Sequence, residues 1–176
     1  GKQPLANELV EYPPVLGQKK FPLNVVICDY CGLFQLNYVV SPERLFENYK
    51  YYSSTSPVFI KHFKDMAKDF VKKGIVKNGS VVVDIGSNDG ILLKAFQKHG
   101  CQVLGIEPST NLSDLSNIQG IPTINEWLTP FIARQIRKDL GRDVDLVTMT
   151  NVFAHIDDSK SVLESVKILI GKTGKL

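Results

Sequence analysis

Asp84 and Glu107 are the side chains whose spacing most constrains the chemistry of this chain. Asp84 closes the apolar run Val81-Val-Val and leads into Ile85-Gly-Ser-Asn-Asp-Gly90. Glu107 closes the next apolar run, Val103-Leu-Gly-Ile106, about 20 residues after the glycines, where an acidic group can take two ribose hydroxyls. The loop has only two glycines, Gly86 and Gly90, whereas a dinucleotide fingerprint wants a third. It carries Asp84 and Asp89 instead. Carboxylates repel a pyrophosphate and suit a ligand with an amine and a sulfonium. A second constellation is Cys28-Asp-Tyr-Cys31-Gly32, two thiols at metal-ligand spacing. A third is His155, at the end of Asn151-Val-Phe-Ala-His155. An imidazole can act as base or hydrogen-bond donor near neutral pH, although a single histidine is more often structural.

The elements that must position these groups follow from the pattern. Val81 to Val83 read as a strand covered on both faces. Ile91, Leu92, Ala95 and Phe96 then form one stripe of a helix that Gly100 ends. Ser56-Pro57 starts the preceding helix, with Val58, Phe59, Phe63, Met66, Ala67, Phe70 and Val71 at helical spacing. His62 on it reads as a surface residue. A helix over about Ser109–Asn117, a third strand Gly120–Ile124, a helix from Thr129-Pro130 to Gly141, a fourth strand Asp145–Thr150 and a helix Ser159–Ile170 complete the series. Repeated strand–helix units give a parallel α/β sheet. A fifth strand should begin near Gly174, so the sheet is expected to be incomplete at the C-terminus. Asn125-Glu-Trp-Leu128 follows the third strand, at the edge where such sheets bind ligands. Asn125 there can meet an adenine amino group; Trp127 either covers the ring or is core.

Upstream, prolines at 4, 13, 14 and 22 argue for irregular backbone over residues 1–24. Leu23–Cys28 and Leu33–Leu36 read as strands flanking Cys28 and Cys31. Three readings stand: half of a zinc site whose other two cysteines lie before Gly1, a metal-free hairpin, and a redox pair. Cys101 reads as a buried small hydrophobe. Ser41-Pro42 opens a short helix to about Asn48. Tyr49–Ser56 is rich in aromatic and hydroxyl groups and reads as a solvated linker with its aromatics packed on the main domain, or as a lid across the ligand pocket. The expected division is therefore 1–40, a small zinc-knuckle-like β module; 41–56, a linker or lid; and 57–176, the nucleotide-type domain.

Composition narrows the class. With 43% hydrophobic and 22% charged residues, the chain can build one sizeable core plus a small appendage. The net charge of +3 comes with scattered lysines, which does not demand nucleic acid. No stretch approaches ~18 consecutive apolar residues, so no membrane span is expected. The N-terminus lacks a signal pattern. Three cysteines fit a reducing cytoplasm better than a disulfide scaffold.

The glycine turn with Asp84 and Glu107 resembles the cofactor motif of class I methyltransferases that use S-adenosylmethionine (SAM). Four further segments carry a closer likeness: Gln3-Pro-Leu-Ala-Asn7; Cys28-x-x-Cys31-Gly-Leu-x-Gln-Leu36; Tyr49-x-Tyr-x-Ser-Ser-x-Ser56; and Asn151-Val-Phe-Ala-His155. Together they resemble the sugar C-methyltransferases that act on nucleotide-linked deoxysugars. The resemblance implies a Rossmann-like SAM domain, preceded by a four-cysteine zinc module and followed by a further domain. It implies that Asp84, Gly86, Ser87, Asn88, Gly90, Glu107, Pro108, Asn125 and Asn151 bind the cofactor, that Cys28 and Cys31 bind zinc, and that His155 and Tyr52 serve catalysis on a keto sugar. A SAM enzyme methylating oxygen or nitrogen, a non-catalytic zinc-and-nucleotide module, and an NAD-dependent enzyme are the competing readings.

Overall fold

The computed structural model describes residues 1–8, 10 and 17–176. Pro13 and Pro14, read as helix breakers, lie outside the described residues. The chain divides into two compact units, Gly1–Tyr51 and Tyr52–Leu176.

In the first unit, β1 (Lys2–Gln3) pairs antiparallel with β2 (Phe21–Pro22) inside the stretch expected to be irregular. Strands of two residues carry no alternation that a sequence pattern can show. β3 (Val25–Ile27) and β4 (Phe34–Leu36) form an antiparallel hairpin, with Val25 opposite Leu36 and Ile27 opposite Phe34. α1 (Pro42–Phe46) starts as the sequence suggests: Ser41 Oγ accepts from Arg44 N–H, and Pro42 takes the first helical position.

The second unit opens with a short 3₁₀ turn, Ser53–Thr55, and α2 (Pro57–Lys72). Ser56 caps α2 by accepting from Phe59 N–H. Then come β5 (Val81–Ile85), α3 (Ile91–Gln97), β6 (Gln102–Ile106), α4 (Thr110–Ile118), β7 (Thr123–Ile124), α5 (Pro130–Leu140), β8 (Leu146–Thr148), a 3₁₀ turn at Phe153–His155 and α6 (Ser159–Ile170). The sheet order is β7-β6-β5-β8, and every pairing is parallel. β5 is buried along its whole length. Val81, Val83 and Ile85 pack with Ala133, Ile136, Val166 and Leu169 of α5 and α6. Val82 packs with Phe63, Ala67, Leu92 and Phe96 of α2 and α3. Helices therefore cover both faces, which is why the strand reads as an unbroken apolar run.

Two strands are shorter than expected. β7 keeps only Thr123–Ile124 of the expected Gly120–Ile124, since Pro122 has no N–H for the ladder. β8 pairs with β5 only through Leu146–Thr148. Near the end of the chain, Lys175 bridges Leu146 in parallel, where a fifth strand was expected to begin.

The chain leaves β5 toward β6 and β7, then returns to its other side at β8. The carboxyl end of β5 is the switch point of the sheet, where open α/β sheets bind ligands.

Candidate active site

The turn after β5 is set by close approach. Gly86 has φ +63, and a Cβ there would lie 2.5 Å from Val152 Cγ2. The turn after β8 therefore packs directly on the glycine turn, bringing the Asn151–His155 segment to the switch point. Asn151, with φ 59, makes the bend that leaves β8. Gly105, in the middle of β6, has a matching role: a Cβ there would lie 2.5 Å from Ser87 Oγ and 2.7 Å from Thr123 Oγ1. The sequence reading took Gly105 as part of an apolar run; it is the bare spot on which Ser87 rests. Gly90 is the N-cap of α3.

The carboxylates are buried under this turn. Asp84 is 2% exposed, and Thr148 Oγ1 on β8 donates to Asp84 Oδ1 at 2.6 Å. Burial pushes the Asp84 carboxyl up to about 7, against the Thr148 hydrogen bond and with help from the Glu107 charge. Glu107, also buried, accepts Asn88 N–H at Oε2 (2.8 Å) and Ser109 N–H at Oε1 (2.9 Å). Burial raises its pKa, and the donors from Ser109 and Asn88 oppose that. The Ser109 side chain donates to the same carboxylate. Two more buried polar atoms in the turn, Ser87 Oγ and Asp89 Oδ1, have no hydrogen-bond partner among the described residues. A site so dominated by acceptors suits a ligand that brings donors and positive charge.

The segment before α2 lies across the same turn. Ser53 N–H donates to Asn88 Oδ1 and Ser54 N–H to Asp89 Oδ2, both at 2.9 Å. Tyr52 Oη accepts from Asn111 Nδ2 on α4 at 3.1 Å. Ser53 and Ser54 are thus tied to the glycine turn through their backbone, while Ser54 and Thr55 stay exposed, and nothing in the polar sequence Ser-Ser-Thr marks the attachment. Beyond β7, Asn125 Nδ2 donates to the carbonyls of Glu107 (3.0 Å) and Pro108 (2.9 Å), and its Oδ1 accepts from Thr110 Oγ1 (3.0 Å). Asn125 therefore braces the turn that follows Glu107. Trp127 is 41% exposed, which removes the core reading. His155 is exposed in its 3₁₀ turn, three residues past Val152. Thr148, Ser109 and Asn111 are the site residues the sequence reading missed.

A family model described as a methyltransferase domain matches residues 59–176. The chain belongs to this methyltransferase-domain family. The C-methyltransferase NovU of Streptomyces niveus is 34% identical over 177 residues, which cover 99% of this chain and 41% of that protein. A ubiquinone biosynthesis O-methyltransferase of Coxiella burnetii is 28% identical over 108 residues, 61% of this chain and 46% of that protein. The chain thus spans less than half the length of these curated relatives. Among solved structures, a SAM-dependent methyltransferase from Geobacter sulfurreducens, in complex with S-adenosyl-L-homocysteine, aligns with TM-score 0.50 at 12% identity, over 72% of this chain and 49% of that one. That likeness shows the fold: a class I methyltransferase sheet. Among the described residues no helix is long and apolar enough to cross a membrane.

The unit ahead of the methyltransferase domain carries the thiols. A second family model, for a candidate zinc binding domain, matches residues 1–46. Cys28 N–H donates to the Leu33 carbonyl at 2.9 Å, and Gly32 N–H to the Cys28 carbonyl at 2.8 Å. Gly32 turns with φ +73. The N–H groups of Cys31 and Tyr30 point at the Cys28 sulfur, and with the Cys31 thiol they lower its pKa. This favours a thiolate, the form that binds metal. Among the described residues no group of three or more histidine, cysteine or acidic side chains gathers to hold a metal. Two thiols at this spacing fit half of a tetrahedral zinc site. Cys101 is buried away from any such role, its thiol pKa raised mainly by burial.

Proposed function

We propose that this chain binds SAM at the carboxyl ends of β5 and β6, and that the protein it belongs to methylates a carbon next to the carbonyl of a nucleotide-linked keto-deoxysugar. The observation that carries the reading is Glu107, its buried carboxylate held at the tip of β6 by the Asn88 and Ser109 N–H groups and the Ser109 side chain. In this reading the carboxylate oxygens accept the ribose hydroxyls. The Pro108 turn braced by Asn125 lies along the adenine, and exposed Trp127 covers the ring. Asp84 and Asp89 face the positively charged methionine end. Gly86, Ser87, Asn88 and Gly90 let the backbone come close, and Asn151 shapes the opposite wall.

SAM, when bound, supplies a methyl group on a sulfonium leaving group. The chain's own residues prepare the acceptor. His155 or Tyr52 takes the proton from the carbon beside the carbonyl. With SAM bound, the electron pair left on that carbon would take the methyl group and the sulfur would depart as a neutral thioether, while the proton stays on the base. Identity of 34% to a C-methyltransferase along nearly the whole chain supports carbon over oxygen or nitrogen as the acceptor. Cys28 and Cys31 supply two zinc ligands in the same reading, and a reducing cytoplasm keeps their thiols free.

Calorimetric titration of SAM, with NAD as the control, tests the cofactor assignment. Binding of SAM alone is expected. Binding of NAD in preference to SAM would overturn it.

A further inference from the structure

We propose that Asn88 and Asp89 are positioning residues whose side chains cap the Ser53–Thr55 turn and so hold Tyr52 across the cofactor turn for methyl transfer. The inference rests on the SAM reading above for its function, though not for its geometry.

The first N–H groups of any helical turn lack an acceptor within the turn. Tyr52, the residue in the capping position, makes no side-chain cap. The missing acceptors come from 35 residues away: Asn88 Oδ1 for Ser53 N–H and Asp89 Oδ2 for Ser54 N–H. Thr55 N–H closes the turn on the Tyr52 carbonyl at 3.3 Å, and Tyr52 Oη is tied to Asn111 at 3.1 Å. The tyrosine is therefore fixed at its main chain and at its ring tip, both times by parts of the cofactor site.

Asn88 is the hub. Its φ of 52 is a conformation that glycine adopts with less strain, so what asparagine adds is the side-chain oxygen. That oxygen accepts from Ser53 and from Asp89 N–H (3.0 Å). Its N–H holds Glu107, and its carbonyl accepts from Ser116 Oγ at 3.3 Å. One residue thus joins the acid assigned to the ribose, the turn and the segment that carries Tyr52. Asp89 is 2% exposed and commits one oxygen to Ser54. Breaking these caps should release Tyr52 while leaving the backbone cradle of the cofactor in place.

Two variants separate the caps from general damage. Ser53→Pro removes one donor from the segment side. Tyr52, at φ −112 and ψ 118, already has the extended backbone a residue before proline needs, and proline is tolerated at the first position of a helical turn. Asn88→Gly removes the acceptor and suits the left-handed backbone. Hydrogen exchange at Ser54 and Thr55 is measured in this chain with and without SAM. Both variants should exchange there about ten-fold faster than the parent, the factor expected for losing a hydrogen bond of ordinary strength. SAM affinity of Ser53→Pro should stay within about three-fold of the parent. In the full-length enzyme its kcat should fall with KM for SAM unchanged. Unchanged exchange at Ser54 and Thr55 in folded Ser53→Pro would overturn the proposal, and that variant decides if Asn88→Gly does not fold. If the parent chain binds no SAM, the functional reading fails, and the exchange comparison without ligand still decides the capping.

Discussion

Gly86→Ala probes the contact that brings the β8 turn to the cofactor turn. The new Cβ would sit 2.5 Å from Val152 Cγ2 and 3.2 Å from Cγ1, at a backbone φ of +63. The left-handed backbone costs a non-glycine residue about 1–2 kcal/mol. Overpacking adds about 1–3 kcal/mol, so Gly86→Ala should destabilise by about 2–5 kcal/mol in all. Val152→Ala removes both clashing methyls and leaves only the Val152 Cβ, at an ordinary 3.5 Å. Val152 is half-buried, so this change alone should cost about 1 kcal/mol. In the double variant the steric part of the Gly86→Ala penalty disappears and the backbone part stays. The coupling energy should therefore be about 1–3 kcal/mol in the stabilising direction. Urea unfolding of the parent, the two single variants and the double variant measures it. Additive effects, within about 0.5 kcal/mol, would mean that the two turns do not touch as described.

Glu107→Ala should weaken SAM binding by on the order of 1–3 kcal/mol in a calorimetric titration, through loss of charge-assisted hydrogen bonds; an unchanged affinity would place the ribose elsewhere. Asp84 titrates near 7 in the folded chain against an ordinary 3.8, so the folded state holds its proton more tightly than the unfolded state. Its contribution to stability is complete below about pH 4 and is lost as pH rises through about 7. Asp84→Asn should flatten that decline between pH 5 and pH 8 in urea unfolding, leaving the smaller slope that Glu107 contributes. A cationic ligand favours ionised Asp84, so SAM binding near pH 7 should release a proton, seen as a binding heat that depends on the buffer. Cys28→Ser in the full-length protein should lower its zinc content by elemental analysis, whereas equal zinc in both would return Cys28 and Cys31 to a plain hairpin.

The α/β order, the position of the glycine turn and both buried carboxylates were legible because each rests on local chemistry. The run Val81–Ile85 is apolar because helices cover both faces, and Ser-Pro or Thr-Pro pairs mark α1, α2 and α5. What the sequence hid is made by contacts between distant residues. Gly105 lies in an apolar run and shows its purpose only when Ser87 and Thr123 close on it. The Tyr52–Thr55 segment looks like a polar linker because it is held through its backbone N–H groups, which its side chains do not announce. Asn125 was placed rightly at the end of β7, yet its amide is spent on the Glu107 and Pro108 carbonyls. The short pair β1–β2 carries no periodicity at all.

The fate of the methyl group tests the central claim most directly. The full-length protein would be incubated with SAM carrying an isotopically labelled methyl and with a nucleotide-linked keto-deoxysugar, and the product read by NMR. The account predicts a labelled methyl bonded to the ring carbon beside the carbonyl, coupled to that carbon and stable to acid hydrolysis. A label found on oxygen or nitrogen, or no transfer by a protein that binds both SAM and the sugar, would contradict it.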